Sequence, residues 1–240
     1  MPATVRPRNR ARTVACVLVV LLFVGILATK LVLESRQTVL LAGDSILRQT
    51  GPALDDSFGW RYQIENEALN NSGLLTPGFV DWVARLDRLV REEDPDQVVL
   101  LFIGNYTDTD YWTDGDGEPV LKNTPEFFAA WGEQADRMME VLEGSGAEVF
   151  WVLPPPQYTE VNQITTAGLR AEYEALAERW PNLTLIDAND ALAGPNGEYL
   201  GTITNRHGEV VPLRVPDTVH LAEAGQRRLA RTIHDALTGD

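Results

Sequence analysis

Two short stretches of the 240-residue sequence carry side chains that can do covalent chemistry together. The first is Gly43-Asp44-Ser45, at the end of the apolar run Gln37–Gly43. A serine at a strand-to-helix turn holds its hydroxyl at a helix N-terminus, where backbone N–H groups and the helix dipole favour developing negative charge. Gly43 lets the chain turn tightly there. Read alone, the tripeptide is equally a helix cap built on Asp44 or Ser45. The second stretch is Asp217-Thr218-Val219-His220. A three-residue step sets a carboxylate beside an imidazole across one turn. The carboxylate then holds one ring nitrogen and leaves the other free as a base. Read alone, this pair is also an ordinary cap and turn. His207, in a turn, and His234, inside the last helix, read as surface residues. Serine, imidazole and carboxylate together point to nucleophilic acyl transfer.

These residues need a scaffold, and the pattern along the chain supplies one. Gln37–Gly43, Gln97–Ile103, Glu148–Leu153 and Leu183–Ile186 are short apolar runs suited to buried parallel strands, with Trp60–Glu65 a further strand. Between them lie helical stretches at Ile46–Asp56, from Thr76-Pro77 to Glu93, from Thr124-Pro125 to Leu142, at Ile164–Trp180 and at Ala222–Leu237. Thr-Pro in both places reads as N-cap followed by N1. Tyr199–Val215 reads as an extended excursion, a hairpin turning at Arg206-His207-Gly208. Strands separated by helices predict βαβ units and a three-layer αβα sandwich around a central parallel sheet. In such sheets chemistry collects at the C-terminal ends of the strands, where Ser45 falls.

Charge divides the chain. Overall there are 20 basic and 35 acidic residues, a net charge of −15, and one cysteine. The single cysteine excludes an internal disulfide framework and a Cys-cluster zinc site. The acidity excludes a nucleic-acid partner. Residues 1–36 nevertheless carry six basic side chains against one acidic, leaving residues 37–240 at −20. Thr13–Thr29 is uncharged and apolar, and Lys30 is followed by three further apolar residues. About 20 such residues cross a bilayer, and a terminal lysine reaches the interface. Residues 1–12 then form a basic cytoplasmic tail, 13–33 a transmembrane signal anchor and 37–240 an extracytoplasmic domain, oriented by the four arginines before the apolar run. A cleaved signal peptide is the competing reading, but Thr-Lys-Leu after Ala28 is a poor cleavage site.

The chain resembles the SGNH hydrolases, also called GDSL esterases, in four blocks in order. These are Gly43-Asp44-Ser45-Ile46, Asn71-Ser72-Gly73-Leu74, Gly104-Asn105-Tyr106, and Asp217-x-x-His220-Leu221 followed by Gly225. The third departs from the family's G-x-N-D, because here asparagine directly follows glycine. Ser72 to Trp82, with Pro154-Pro155, is similar to a bacterial cell-envelope subgroup, the DUF459-type proteins. The resemblance covers about residues 38–238 and implies the flavodoxin-like SGNH fold. It further implies Ser45 as nucleophile, His220 as base and Asp217 as its orienting acid. The oxyanion hole would be formed by the Ser45 and Gly73 N–H groups and the Asn105 side-chain amide.

The expected activity is that of an esterase removing O-acetyl or other short acyl groups from envelope carbohydrate or small esters. An acyltransferase using the same triad and a non-catalytic glycan-binding protein are the alternatives. Tyr106, at the end of the third block, and Tyr111 and Trp112 beyond it are candidates either for stacking on sugar or for packing their loop onto the domain, and Asp44 is a further candidate substrate contact. Their loop is rich in aspartate but lacks the full calcium-loop pattern, so neither metal nor cofactor is expected.

Overall fold

The computed structural model describes residues 36–106, 112–113 and 117–239, together with Val14, Leu18, Val19, Leu21 and Leu22. The chain divides into two compact units, Met1–Arg36 and Gln37–Asp240. In the first unit Val14, Leu18, Val19, Leu21 and Leu22 are helical and exposed, and Arg36 is a half-buried bend. The rest of the expected anchor at 13–33 lies outside the described residues. Among the described residues no helix is long and apolar enough to cross a membrane.

The second unit runs β1 (Gln37–Gly43), α1 (Ser45–Asp55), β2 (Tyr62–Asn66), α2 (Trp82–Glu93), β3 (Gln97–Leu101), α3 (Pro125–Glu143), β4 (Glu148–Leu153), α4 (Glu160–Arg179), β5 (Leu183–Asp187), α5 (Asn189–Leu192), β6 (Thr202–Thr204), β7 (Val210–Pro212) and α6 (Glu223–Thr238). The first five strands form one sheet in the order β2-β1-β3-β4-β5. Every pairing within it is parallel. The period-two alternation of a strand distributes its apolar residues to both faces. Leu40, Ala42, Val98, Leu100 and Trp151 pack with Trp82, Trp131, Met138 and Tyr173 of α2, α3 and α4. Val39, Leu41, Val99 and Val152 pack with Ile46, Leu47, Leu229 and Ile233 of α1 and α6. This is the three-layer αβα arrangement that the alternating pattern predicts. The connection reverses direction between β1 and β3, and at such a point the loops at the strand ends leave a crevice.

Two helix starts differ from the sequence reading. Thr76-Pro77 opens only a single turn, in which Phe79 and Val80 donate to the Thr76 carbonyl at 2.9 Å. The Thr76 hydroxyl is spent on the Gly73 carbonyl (2.9 Å) rather than on a helix N–H. Asp81 is the actual cap, accepting from the Ala84 N–H at 3.0 Å. The helix expected at Ile164 instead starts at Glu160, capped by the Thr159 hydroxyl. Thr124-Pro125 does open α3 as its residues predict. The β6–β7 hairpin turns through Arg206–Gly208, with the Asn205 side chain accepting from the His207 and Glu209 N–H groups.

Candidate active site

The turn after β1 is fixed by three consecutive residues. Gly43 pairs with Leu101 of β3. A Cβ on Gly43 would stand 2.2 Å from the Leu101 carbonyl oxygen, so only glycine permits this approach. Asp44 is wholly buried. One carboxylate oxygen accepts from the Ile46 N–H at 3.0 Å, capping α1, and the other accepts from the Ile103 N–H at 2.7 Å. The side chain therefore clamps the start of α1 to the end of β3. This corrects the reading of Asp44 as a substrate contact, since it has no exposed surface to offer. Ser45 follows as the first residue of α1, its N–H among the first-turn donors that find no acceptor inside the helix.

Burial pushes the Asp44 carboxyl up to about 7, against the two backbone bonds and the nearby His220. Linkage fixes the sign of the consequence. Between about pH 4 and 7 the unfolded chain releases this proton while the folded chain keeps it, so stability declines as pH rises through that window. We expect Asp44→Asn to flatten this decline in urea midpoints measured from pH 4 to 7. Parallel curves for the two proteins would rule the assignment out.

The base stands on a loop that closes on itself. The Val215 N–H donates to the His220 carbonyl (3.0 Å) and the Thr218 N–H to the Val215 carbonyl (2.9 Å). Thr218 takes a left-handed conformation, with φ +66°. One Asp217 oxygen accepts from the Val219 and His220 N–H groups, both at 2.9 Å. The other meets His220 Nδ1 at 2.6 Å, and His220 Nε2 meets Ser45 Oγ at 2.9 Å. Burial pushes the Asp217 carboxyl up, but the ring and the two backbone donors more than offset it and hold it below its ordinary value. An ionised Asp217 only accepts, so Nδ1 carries the proton. That leaves Nε2 as the acceptor for the serine hydroxyl.

Sequence reasoning missed Arg214. It is 5 % exposed, and its guanidinium donates to the Val219 carbonyl at 2.7 Å and the Pro156 carbonyl at 3.1 Å. It ties the base loop to the segment after β4. Burial lowers its pKa to about 10, with Tyr199 and Asp217 acting in the opposite direction, so it remains a cation at neutral pH. Its place three residues before Asp217 is the one signal for it in the sequence.

The second and third blocks meet beside the turn that bears Ser45, where the Ser72 hydroxyl reaches the Gly43 carbonyl at 3.3 Å. Asn105 Nδ2 donates to the Ser72 carbonyl at 3.2 Å, and the Ser72 hydroxyl to the Leu69 carbonyl at 2.8 Å. Gly73 is buried, and a Cβ there would lie 1.9 Å from the Asn105 carbonyl oxygen. The glycine is thus required by the packing of its loop on residue 105. Its N–H makes a long bond of 3.3 Å to the Thr76 hydroxyl. Gly104, at φ +88°, turns the chain where a Cβ would strike Thr165 at 2.4 Å. That turn brings Asn105, one position earlier than the usual block places it, beside Ser72 and Gly73. Asn105 keeps one amide hydrogen beyond its bond to Ser72.

The family described as "Protein of unknown function (DUF459)" matches residues 38–236. The chain belongs to the DUF459 family. No curated protein matches it. Its fold is the SGNH hydrolase fold, shared with solved structures at low identity. A lipolytic protein of the G-D-S-L family from Desulfitobacterium hafniense is 19% identical with a TM-score of 0.59, covering 82% of this chain and 98% of that one. A member of the same lipolytic family from Veillonella parvula is 14% identical with a TM-score of 0.58, covering 84% and 98%. A carbohydrate esterase family 3 protein from Talaromyces cellulolyticus is 11% identical with a TM-score of 0.58, covering 85% and 97%.

In this DUF459 domain Tyr106 is not a stacking platform. It is 7 % exposed, its hydroxyl donates to the Val120 carbonyl (2.6 Å) and accepts from the Trp112 N–H (3.1 Å), and its ring lies 5.4 Å from that of Phe127. The residue props the loop against α3 from within. Trp112 is half-buried and packs on the same core, while Tyr111 lies outside the described residues. Among the described residues no group of His, Cys, Asp or Glu is placed to hold a metal ion. His207 is bonded to Arg206, and His234 stacks on Phe58.

Proposed function

We propose that this DUF459 protein is a serine ester hydrolase of the cell envelope that removes O-acetyl or other short acyl groups from neutral carbohydrate. One observation carries the reading: an unbroken relay from Asp217 through His220 to Ser45, at 2.6 and 2.9 Å. Ser45 Oγ attacks the ester carbonyl as Nε2 takes its proton. The proton then goes to the departing alcohol, leaving an acyl-serine that water cleaves by the same route. The Ser45 N–H, the Gly73 N–H once released from Thr76, and the second Asn105 amide hydrogen are the donors for the oxyanion. The apolar run at Thr13–Thr29, with four arginines before it, supports an anchor that keeps the domain outside the cytoplasm.

The purified full chain is expected to hydrolyse p-nitrophenyl acetate, to release acetate from acetylated oligosaccharide and to be inactivated by a fluorophosphonate that adds its mass to Ser45. Absence of both p-nitrophenol and acetate release would overturn this function.

A further inference from the structure

A cavity of about 350 Å³ lies apart from the triad, between the segment after β4, the first half of α4 and the residues around α5. It opens on the same sheet edge as Ser45, because Pro156 follows β4 and Asn189 follows β5. Gln157, Gln163, Thr166, Arg170, Asn189 and Tyr199 are among the residues that line it.

The wall chemistry selects among ligand classes. Arg170, the one cation, is held by both oxygens of Asp187, at 2.9 and 2.8 Å. Exposed Glu198 stands in the same wall. An anionic ligand meets a neutralised arginine and a carboxylate, and is repelled. An acyl chain would cover the exposed Gln163 amide without bonding to its oxygen, at a cost of about 1–3 kcal/mol for a group left unsatisfied. A neutral polyhydroxylated ligand meets neither objection. Among the described residues, three of these side chains hold a buried oxygen without a hydrogen-bond partner: Gln157 Oε1, Thr166 Oγ1 and Asn189 Oδ1. The terminal amide torsion that would turn Asn189 outward is soft, whereas turning Gln157 also breaks its bond to the Pro155 carbonyl. Tyr199 adds a half-buried ring, set 5.3 Å edge-on to that of exposed Tyr158. The volume lies within the range of small-molecule sites.

The cavity is also connected to the chemistry. Tyr199 lies over Arg214, 5.6 Å from guanidinium to ring, and Arg214 holds the carbonyl of Val219 beside His220. The same guanidinium holds Pro156, which is part of the cavity wall. Tyr199 further borders a mainly apolar groove with Val215 and Pro216, the residues leading into Asp217. We propose that this cavity binds a neutral sugar unit of the substrate, neighbouring the unit whose ester faces Ser45. The proposal rests on the carbohydrate esterase reading above and extends it to a second subsite.

Binding separates the two ideas. In titration calorimetry, the full chain carrying Ser45→Ala is expected to bind O-acetylated xylotetraose. Adding Gln163→Ala or Asn189→Ala should weaken that binding about tenfold, the loss of one or two hydrogen bonds. In the active protein the same changes should lower kcat/KM for the acetylated oligosaccharide about tenfold relative to that for p-nitrophenyl acetate. Gln163 is exposed, and because its amide nitrogen also donates to the Gln157 and Tyr158 carbonyls, an unchanged thermal midpoint and unchanged p-nitrophenyl acetate kinetics must accompany its loss of binding. Affinity within twofold of the parent, or equal losses on both substrates, would overturn the subsite. Oligosaccharide binding by a chain that releases neither p-nitrophenol nor acetate would sink the esterase reading and leave the subsite standing. Ester hydrolysis without oligosaccharide binding would do the reverse.

Discussion

Ser45→Ala is expected to reduce p-nitrophenyl acetate hydrolysis by about 10⁴–10⁶-fold, the loss seen when a triad nucleophile is removed. The fold should not notice. Among the described residues the Ser45 hydroxyl bonds to His220 alone, whereas the cap of α1 is the Asp44 carboxylate and the clamp to β3 is its second oxygen. Circular dichroism and the thermal midpoint should therefore match those of the parent. The residual rate over water should be that of the oxyanion donors, which the substitution leaves in place. Equal activity in the two proteins would sink the triad assignment.

Asp217→Asn is expected to cost about 10³–10⁴-fold in kcat through the identity of one proton. The asparagine oxygen can still accept from the Val219 and His220 N–H groups, so the loop should keep its shape. The amide nitrogen then faces His220 Nδ1 at the position where the carboxylate oxygen stood. An amide N–H there donates to Nδ1 and drives the ring proton to Nε2, against Ser45, where a base is needed. Asp217→Ala removes the orienting group without forcing that tautomer, so it should retain more activity than the isosteric change. Steady-state kinetics on the two variants decide the point, and the opposite ranking would contradict the tautomer argument.

Much of the scaffold was legible because a strand buried on both faces must be apolar throughout. Gln97–Leu101 and Glu148–Leu153 show this, and the hydrogen-bonding logic of Thr124-Pro125 made the start of α3 readable too. Thr76-Pro77 has the same letters and opens no long helix, because its hydroxyl turns back onto Gly73. Residue type fixes what a threonine can bond to, and tertiary contacts decide which bond it makes. The same limit applies at the site. Serine, histidine and aspartate announced themselves by spacing. Tyr106 stayed open between stacking and packing because its partner, the Val120 carbonyl, comes 14 residues later and only the folded loop brings it close. Arg214 was silent for a related reason. Its work is done through two backbone carbonyls, and carbonyls leave no mark in a sequence. Asp44 was visible as a cap. Its second bond, to Ile103, needed the β1–β3 pairing to appear.

That pairing has a bearing on how the site comes apart. β1 is flanked on both sides, and Val39 to Ala42 are wholly buried, so the turn bearing Ser45 opens only with the sheet itself. The loop bearing His220 and Asp217 lies outside the sheet and is held by its internal bonds, the Arg214 fork and the neighbouring Leu221, which is buried in the core. The Asp217 side chain is 49 % exposed there. Opening that loop requires much less than global unfolding. Acid and base then leave and return as one preassembled piece while the nucleophile stays behind. The lifetime of the working triad is therefore set by the contact between His220 and Ser45, across 175 residues of chain, and not by the shorter bond between His220 and Asp217.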